Sequence, residues 1–190
     1  MNGLADWLTV WTTTRAAGIT CYLLLFVSTG AGILTSLKLF APKTRAAVLF
    51  IHQSAGWFGF LFGSLHGSVL LFDKYVGYSP LELLIPFAAR SHPFLTGLGT
   101  LSFYIALLLL VSSDMMKRLG KKTWRTIHFL AFPGFFMGLV HGLLLGTDSS
   151  EPWMKWTYIA TAGLIVALTI FRIAVPSPAG VPKTRAKAAA

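Results

Sequence analysis

Four of the five histidines in this 190-residue sequence lie inside long apolar stretches. His52 and His66 share one stretch, and His128 and His141 share another. An ionisable side chain at membrane depth is costly, so it marks a functional site by default. A neutral imidazole ligates haem iron or another metal, relays protons, or hydrogen-bonds between helices. These four residues are therefore the first candidates for chemistry.

The composition indicates that the elements carrying the histidines are transmembrane helices. Hydrophobic residues make up 55% of the chain and charged residues 12%, and the mean hydropathy is +0.69. Five uncharged stretches approach or reach the length needed to cross roughly 30 Å of hydrocarbon, where only helices satisfy their own backbone groups. The predicted spans are Ala16–Leu37, Ala46–Phe72, Pro93–Ser113, Thr126–Thr147 and Trp156–Val175, the last containing Arg172 near its end.

The loop charges predict the orientation. The sixteen Lys and Arg against six Asp and Glu concentrate in segments 38–45 and 114–125 and in the tail, whereas the other two connections are mildly acidic. Basic loops stay in the cytoplasm, so we expect an outer N-terminus and a cytoplasmic C-terminus, in the plasma (inner) membrane. This pattern also favours membrane loops over nucleic-acid binding. The expected organisation is an outer segment 1–15, a transmembrane domain 16–175 and a disordered basic tail 176–190.

Three local features narrow the class further. Cys21 is the single cysteine, which excludes a disulfide and a CxxCH site for covalent haem. The first residues lack the pattern of a cleavable signal peptide. Tyr75–Ala89 is apolar but contains Glu82, Pro80 and Pro86, so we expect an interfacial or re-entrant cap on the outer face rather than a sixth span.

Orientation sorts the histidines into two levels. Both histidine-bearing helices follow basic loops and run outward, so His52 and His128 lie near the inner surface. His66 and His141 lie about 21 and 19.5 Å further along their helices. Each level then has one imidazole from each helix, which is the standard ligation of a six-coordinate haem iron. A zinc site would gather its ligands at one level, and proton relays usually include carboxylates, which the spans lack.

One helix does not present its histidines on one face. At 100° per residue, His52 and His66 are about 40° apart, but His128 and His141 are about 140° apart. Pro133 and Gly134 lie between them, and we expect a break there to bring His141 round.

Small and aromatic residues accompany the histidines. The glycines of the two helices are suited either to the close approach of a flat macrocycle or to ordinary helix packing: Gly56, Gly59, Gly63, Gly67 and Gly142. The aromatic residues between the levels are interpreted mainly as packing: Trp57, Phe58, Phe60, Phe62, Phe132, Phe135 and Phe136. His92 is interpreted as a loop residue.

The two histidine spacings, 14 and 13 on co-directional helices, resemble those of the ferric reductase-like transmembrane domain family. That family includes NADPH oxidases, ferric reductases and the haem subunit of the bacterial methionine sulfoxide reductase system. The matching stretches are RAAGITCYLLL at 15–25, IHQSAGWFGFLFGSLHG at 51–67, WRTIHFLAF at 124–132 and LVHGLLLGTD at 139–148.

The resemblance implies haem b at both levels, His52 with His128 on the inner iron and His66 with His141 on the outer. Larger members carry six helices and a cytoplasmic FAD- and NAD(P)H-binding domain, whereas this sequence has five predicted helices and no GxGxxG loop. We therefore expect an oxidoreductase membrane subunit without its own flavin or NAD(P)H site, working with a redox partner protein, quinone or both. Whether the chain is an enzyme by itself stays open.

The expected function is electron transfer from a cytoplasmic or quinone donor to an outer-face acceptor. The alternatives are a single-haem, quinone-linked subunit, an autonomous ferric reductase, and a haem-free transporter or assembly protein with a histidine path for protons or metal. Cationic side chains suited to haem propionates, or equally to interfacial anchoring, are Lys43, Arg45 and Arg125 on the inner face and Arg15 and Arg90 on the outer.

Overall fold

A computed structural model of the chain describes residues 9–37 and 39–174. The proposed tail 176–190 lies outside the described residues, as do residues 1–8 of the N-terminal segment. The described part is almost entirely helical and contains no β-strand. Its helices are α1 (Val10–Ser36), α2 (Pro42–Leu70), α3 (Pro80–Leu84), α4 (Pro93–Asp114), α5 (Met116–Leu119), α6 (Lys121–His128), α7 (Ala131–Leu145) and α8 (Pro152–Ala174), with a 3₁₀ turn at Thr147–Ser150.

The described residues contain five candidate membrane-spanning segments, the number that the sequence predicted. Four are the single helices α1, α2, α4 and α8, and the fifth is α6 followed by α7, together Lys121–Leu145. Each is long and apolar enough to cross a membrane, so the chain is a multi-pass membrane protein. The predicted starts were late for α1 and α2, because both helices continue past charged residues that lie at the ends of the bundle.

The helices pack in two antiparallel pairs with α8 against both. α1 lies along α2 and α4 lies along α7, whereas α8 contacts α1 and α7. A buried apolar cluster joins α1, α7 and α8: Tyr22, Ile33, Phe135, Leu139, Met154, Tyr158 and Ile165. Large apolar side chains cover much of the outer surface, as lipid contact requires.

Polar contacts tie α1 to the last part of the chain at both ends. The guanidinium of Arg15 forms a two-pronged ion pair with the buried carboxylate of Asp148, just after α7. Near the other end, Arg172 in the last turn of α8 donates from Nε to Ser36 Oγ at 3.0 Å. These contacts fasten the two ends of α1 to the turn after α7 and to the last turn of α8.

The segment predicted as a cap contains only the five-residue α3, which is too short to span. Glu82 forms a capping box with Ser79, and its carboxylate accepts hydrogen bonds from the N–H groups of Ser79 and Arg90 at 2.9 and 3.0 Å. Thr100 Oγ1 on α4 donates to Leu83 O at 3.0 Å. The cap is therefore fastened to the beginning of α4, at the same end of the bundle as His66.

Candidate functional site

The structure brings the four histidines together as the two pairs expected from their levels. The ring centres of His52 and His128 are 5.9 Å apart, with the ring planes inclined by 70°. Those of His66 and His141 are 6.2 Å apart and inclined by 84°. Since 14 residues of α2 separate its two histidines, the pairs lie about 21 Å apart along the bundle. We call the two ends of the bundle the His52 end and the His66 end.

Main-chain carbonyls of α1 orient both histidines of α2. His52 Nδ1 lies 2.8 Å from Ser28 O, and His66 Nδ1 lies 2.9 Å from Thr14 O. Because a carbonyl oxygen only accepts, each Nδ1 must carry the proton. The lone pair of each ring is then on Nε2, which makes no hydrogen bond within the described part of the chain. This tautomer is the one that a metal-ligating imidazole needs.

The same device orients His141 but not His128. His141 Nδ1 lies 2.8 Å from Leu95 O on α4. His128 Nδ1 is buried and has no hydrogen-bond partner among the described residues. Its ring centre lies 4.9 Å from that of Trp124, which is nearer than the 5.9 Å to His52.

Three glycines that the sequence analysis missed make room for the oriented rings. A Cβ at Gly18 would lie 2.9 Å from His66 Nδ1, and one at Gly32 would lie 3.1 Å from His52 Cε1. A Cβ at Gly99 would lie 2.8 Å from His141 Nδ1. Gly18 and Gly32 are 14 residues apart on α1, the same spacing as the histidines that they face. This matched spacing is the signal that could have identified them.

The glycines considered in the sequence mostly serve helix packing. A Cβ at Gly56, Gly59 or Gly63 would meet side chains of α1, and one at Gly142 would meet Tyr158 on α8. At Gly67 a Cβ would meet nothing within 4 Å. Of the two interpretations, helix packing therefore accounts for four of the five.

The span that contains His128 and His141 is broken directly after His128. The sequence predicted such a break, because 13 residues of regular helix would not bring these two histidines to one face. Pro133 has no N–H to donate to Phe129 O, which accepts instead from Phe132 N at 3.3 Å. Leu130 N likewise donates to Ile127 O at 2.9 Å. Such three-residue bonds wind the chain at about 120° per residue instead of 100°. The tighter winding narrows the 140° gap and lets His141 face His66.

Aromatic side chains fill the space between the levels. Phe60 on α2 stacks on Phe103 on α4, with ring centres 5.0 Å apart. Phe135 is buried against Tyr22. Trp57 and Phe58 are about half exposed, and both line the cavity described next.

A cavity of about 510 Å³ adjoins the His52–His128 pair. Residues of α1, α2, α4, α6 and α7 line it, and apolar side chains such as Trp57, Ile105 and Phe135 form most of its wall. Polar residues at the His52 end also line it, among them Gln53, Ser113 and Asp114.

The five cations considered for an anionic group fall into two sets. Arg15 is engaged by Asp148, and its guanidinium lies 3.9 Å from the centre of the Trp11 ring. The main chain and side chain of Arg90 face Glu82. Lys43, Arg45 and Arg125 are exposed at the His52 end, and no salt bridge reaches them within residues 9–37 and 39–174. His92 is exposed at the N-cap of α4 with φ 46° and belongs to neither pair.

The fold and the site together define a multi-pass helical membrane protein that holds two pairs of imidazoles at two depths. The sequence matches the family model "Ferric reductase like transmembrane component" over residues 14–139, two thirds of the chain. The chain belongs to this family. The match includes His52, His66 and His128 and ends two residues before His141. No characterised protein and no solved structure matched the chain.

Proposed function

We propose that the chain carries electrons across the plasma (inner) membrane through two b-type haems, one at each histidine pair. His52 and His128 would hold the haem at the His52 end, and His66 and His141 the haem at the His66 end. Membership of the ferric reductase-like family supports electron transfer. The proposal of two haems with these ligands rests on one observation, the arrangement of the four histidines as two facing pairs.

The separation of the rings fits a shared metal ion. A metal–imidazole bond is about 2 Å long and the ligating nitrogen lies about 1 Å from its ring centre, so two imidazoles on one metal have centres roughly 6 Å apart. The observed separations are 5.9 and 6.2 Å. Among the described residues no three His, Cys, Asp or Glu side chains group closely enough to form a metal site unaided. Two histidines alone do not complete the coordination of zinc, whereas the porphyrin of haem supplies the remaining ligands of its iron. Each pair therefore fits haem better than zinc.

The chain's contribution would be position and environment. Haem supplies a one-electron redox centre, and bis-imidazole ligation and burial set its potential. The carbonyls of Thr14, Ser28 and Leu95 hold three imidazoles in the ligating tautomer. The apolar side chains around and between the pairs exclude water. Lys43, Arg45 and Arg125 are the cations that remain available for haem propionates.

The loop charges support the orientation that the proposal needs. With its exposed Lys and Arg, the His52 end would lie in the cytoplasm, and the cap and the 3₁₀ turn that contains Asp148 would face outward. We propose a cytoplasmic flavoprotein or a quinone as donor and an outer-face reductase as acceptor. The chain would act as the membrane subunit of that oxidoreductase.

Haem quantitation on purified variants tests the proposal. We expect about two haems b per wild-type chain, and the loss of about one haem from H66Q or H141Q. The control is H92Q, which changes a histidine outside both pairs and should keep both haems. A wild-type protein without a Soret band, or variants with unchanged haem content, would contradict the proposal.

A further inference from the structure

Three of the four histidines lie in the same kind of socket. Each socket has a carbonyl that accepts from Nδ1 and, four residues later on the same helix, a glycine that lets the ring approach. The carbonyl and glycine residues are Thr14 and Gly18 for His66, Ser28 and Gly32 for His52, and Leu95 and Gly99 for His141.

The fourth socket is missing. Fourteen residues after Leu95 and Gly99, at the level of His128, α4 has Leu109 and Ser113. Leu109 O already accepts from Ser112 Oγ at 3.1 Å and from Ser113 Oγ at 2.7 Å. Ser113 also has a side chain where the other sockets have glycine. The carbonyl at the corresponding position is thus already occupied, and His128 Nδ1 has no partner among the described residues.

The backbone around His128 is also less constrained. His128 is the last residue of α6, and the helix break at Phe129–Leu130 follows it directly. His52, His66 and His141 each lie within a continuous helix.

From these observations we infer that His128 is an exchangeable ligand, and that a small neutral molecule such as imidazole or carbon monoxide can bind in its place opposite His52. The inference rests on the proposed function, because it concerns the haem at the His52 end. Loss of the hydrogen bond that orients a metal-ligating histidine typically weakens metal binding by roughly 10- to 100-fold. The haem at the His66 end, with two oriented ligands, would not exchange.

Carbon monoxide binding to the dithionite-reduced wild-type protein is the first test. We expect the Soret band of about half the haem to shift, because one of two irons exchanges its ligand. A Soret shift in none of the haem, or in all of it, would overturn the inference. The proposal of two haems would still stand. A wild-type protein without haem would instead overturn the proposed function itself.

Glycine variants assign the exchange to His128. Purified in imidazole, H128G should keep about two haems per chain and show a six-coordinate spectrum that is lost when imidazole is removed. The matched variant H52G removes the oriented partner of the same pair and should lose about one haem. Equal loss of haem from H128G and H52G in imidazole would contradict an exchangeable His128.

Discussion

At the scale of single residues, the main chain of neighbouring helices orients three of the four paired imidazoles. A carbonyl within a helix cannot rotate away, so it fixes the tautomer more firmly than a mobile side chain would. The sequence predicted the histidines and their two levels, because ionisable residues are conspicuous in apolar spans. It did not predict their carbonyl partners, since every residue has a carbonyl and its choice depends on how α1 and α4 are placed.

Substitution of a socket glycine should displace the ring that it faces. In G99A the new Cβ would lie 2.8 Å from His141 Nδ1 and Cε1, so the ring must shift and lose its hydrogen bond to Leu95 O. We expect G99A to lose about one haem per chain, measured by pyridine haemochrome. G163A is the matched control, since a Cβ at Gly163 meets nothing within 4 Å. Full haem content in G99A would contradict the steric role of this glycine.

At the scale of elements, the break between α6 and α7 decides whether four histidines form two pairs. The sequence located the five spans but not their bounds, because a count of uncharged residues stops at the first charge whereas a helix continues into the interface. It placed the break near Pro133, and the altered hydrogen bonds begin at Ile127, six residues before the proline. The missing N–H of Pro133 accounts for the altered bond at Phe129, four residues earlier, and the bond at Ile127 lies two residues further back.

Removal of the proline should disturb the His52 end most. In P133A residue 133 gains an N–H that can donate to Phe129 O in place of Phe132 N, so a straight helix becomes more favourable. α7 is fixed to α4 through Ser102 Oγ on Gly134 O at 2.9 Å and through His141, so α6 and His128 would move. We expect the six-coordinate signal of the haem at the His52 end to be lost, seen in the spectrum recorded before carbon monoxide is added. P42A is the control, because a proline at the first turn of α2 leaves no carbonyl unpaired. A fully six-coordinate spectrum in P133A would contradict this role.

The cap should loosen in acid. The pKa of Glu82 is lowered from 4.5 to about 2, because the N–H groups of Ser79 and Arg90 and the Ser79 hydroxyl donate to its carboxylate. A lowered pKa means that the stabilisation is complete above pH 4.5 and is lost as the pH falls towards 2. We expect hydrogen exchange of segment 79–90, corrected for intrinsic rates, to accelerate over this range. In E82Q the exchange should be fast at every pH, and equal protection in the two proteins at pH 6 would contradict the assignment.

At the scale of the whole molecule, charge separates the two ends. The His52 end has Lys43 and Arg45 on one connection and a basic cluster from Lys117 to Arg125 on the other. At the His66 end, Asp73, Glu82, Asp148 and Glu151 offset the cations. We expect alkaline phosphatase inserted in the loop at residues 75–77 to be active, because this loop would lie outside the cytoplasm. Green fluorescent protein fused to the C-terminus should fluoresce, because this end would lie in the cytoplasm. The reverse pattern would contradict the proposed direction.

Electron transfer across a sealed bilayer tests the central claim most directly. Haem-loaded protein would be reconstituted into vesicles that contain ferricyanide and a potassium ionophore, with dithionite added outside. The account predicts reduction of the trapped ferricyanide at a rate proportional to haem-loaded protein, and loss of this rate in H66Q, which breaks the chain of redox centres at one level. Trapped ferricyanide that stays oxidised although both haems are reduced, or that is reduced equally fast by H66Q vesicles, would contradict it.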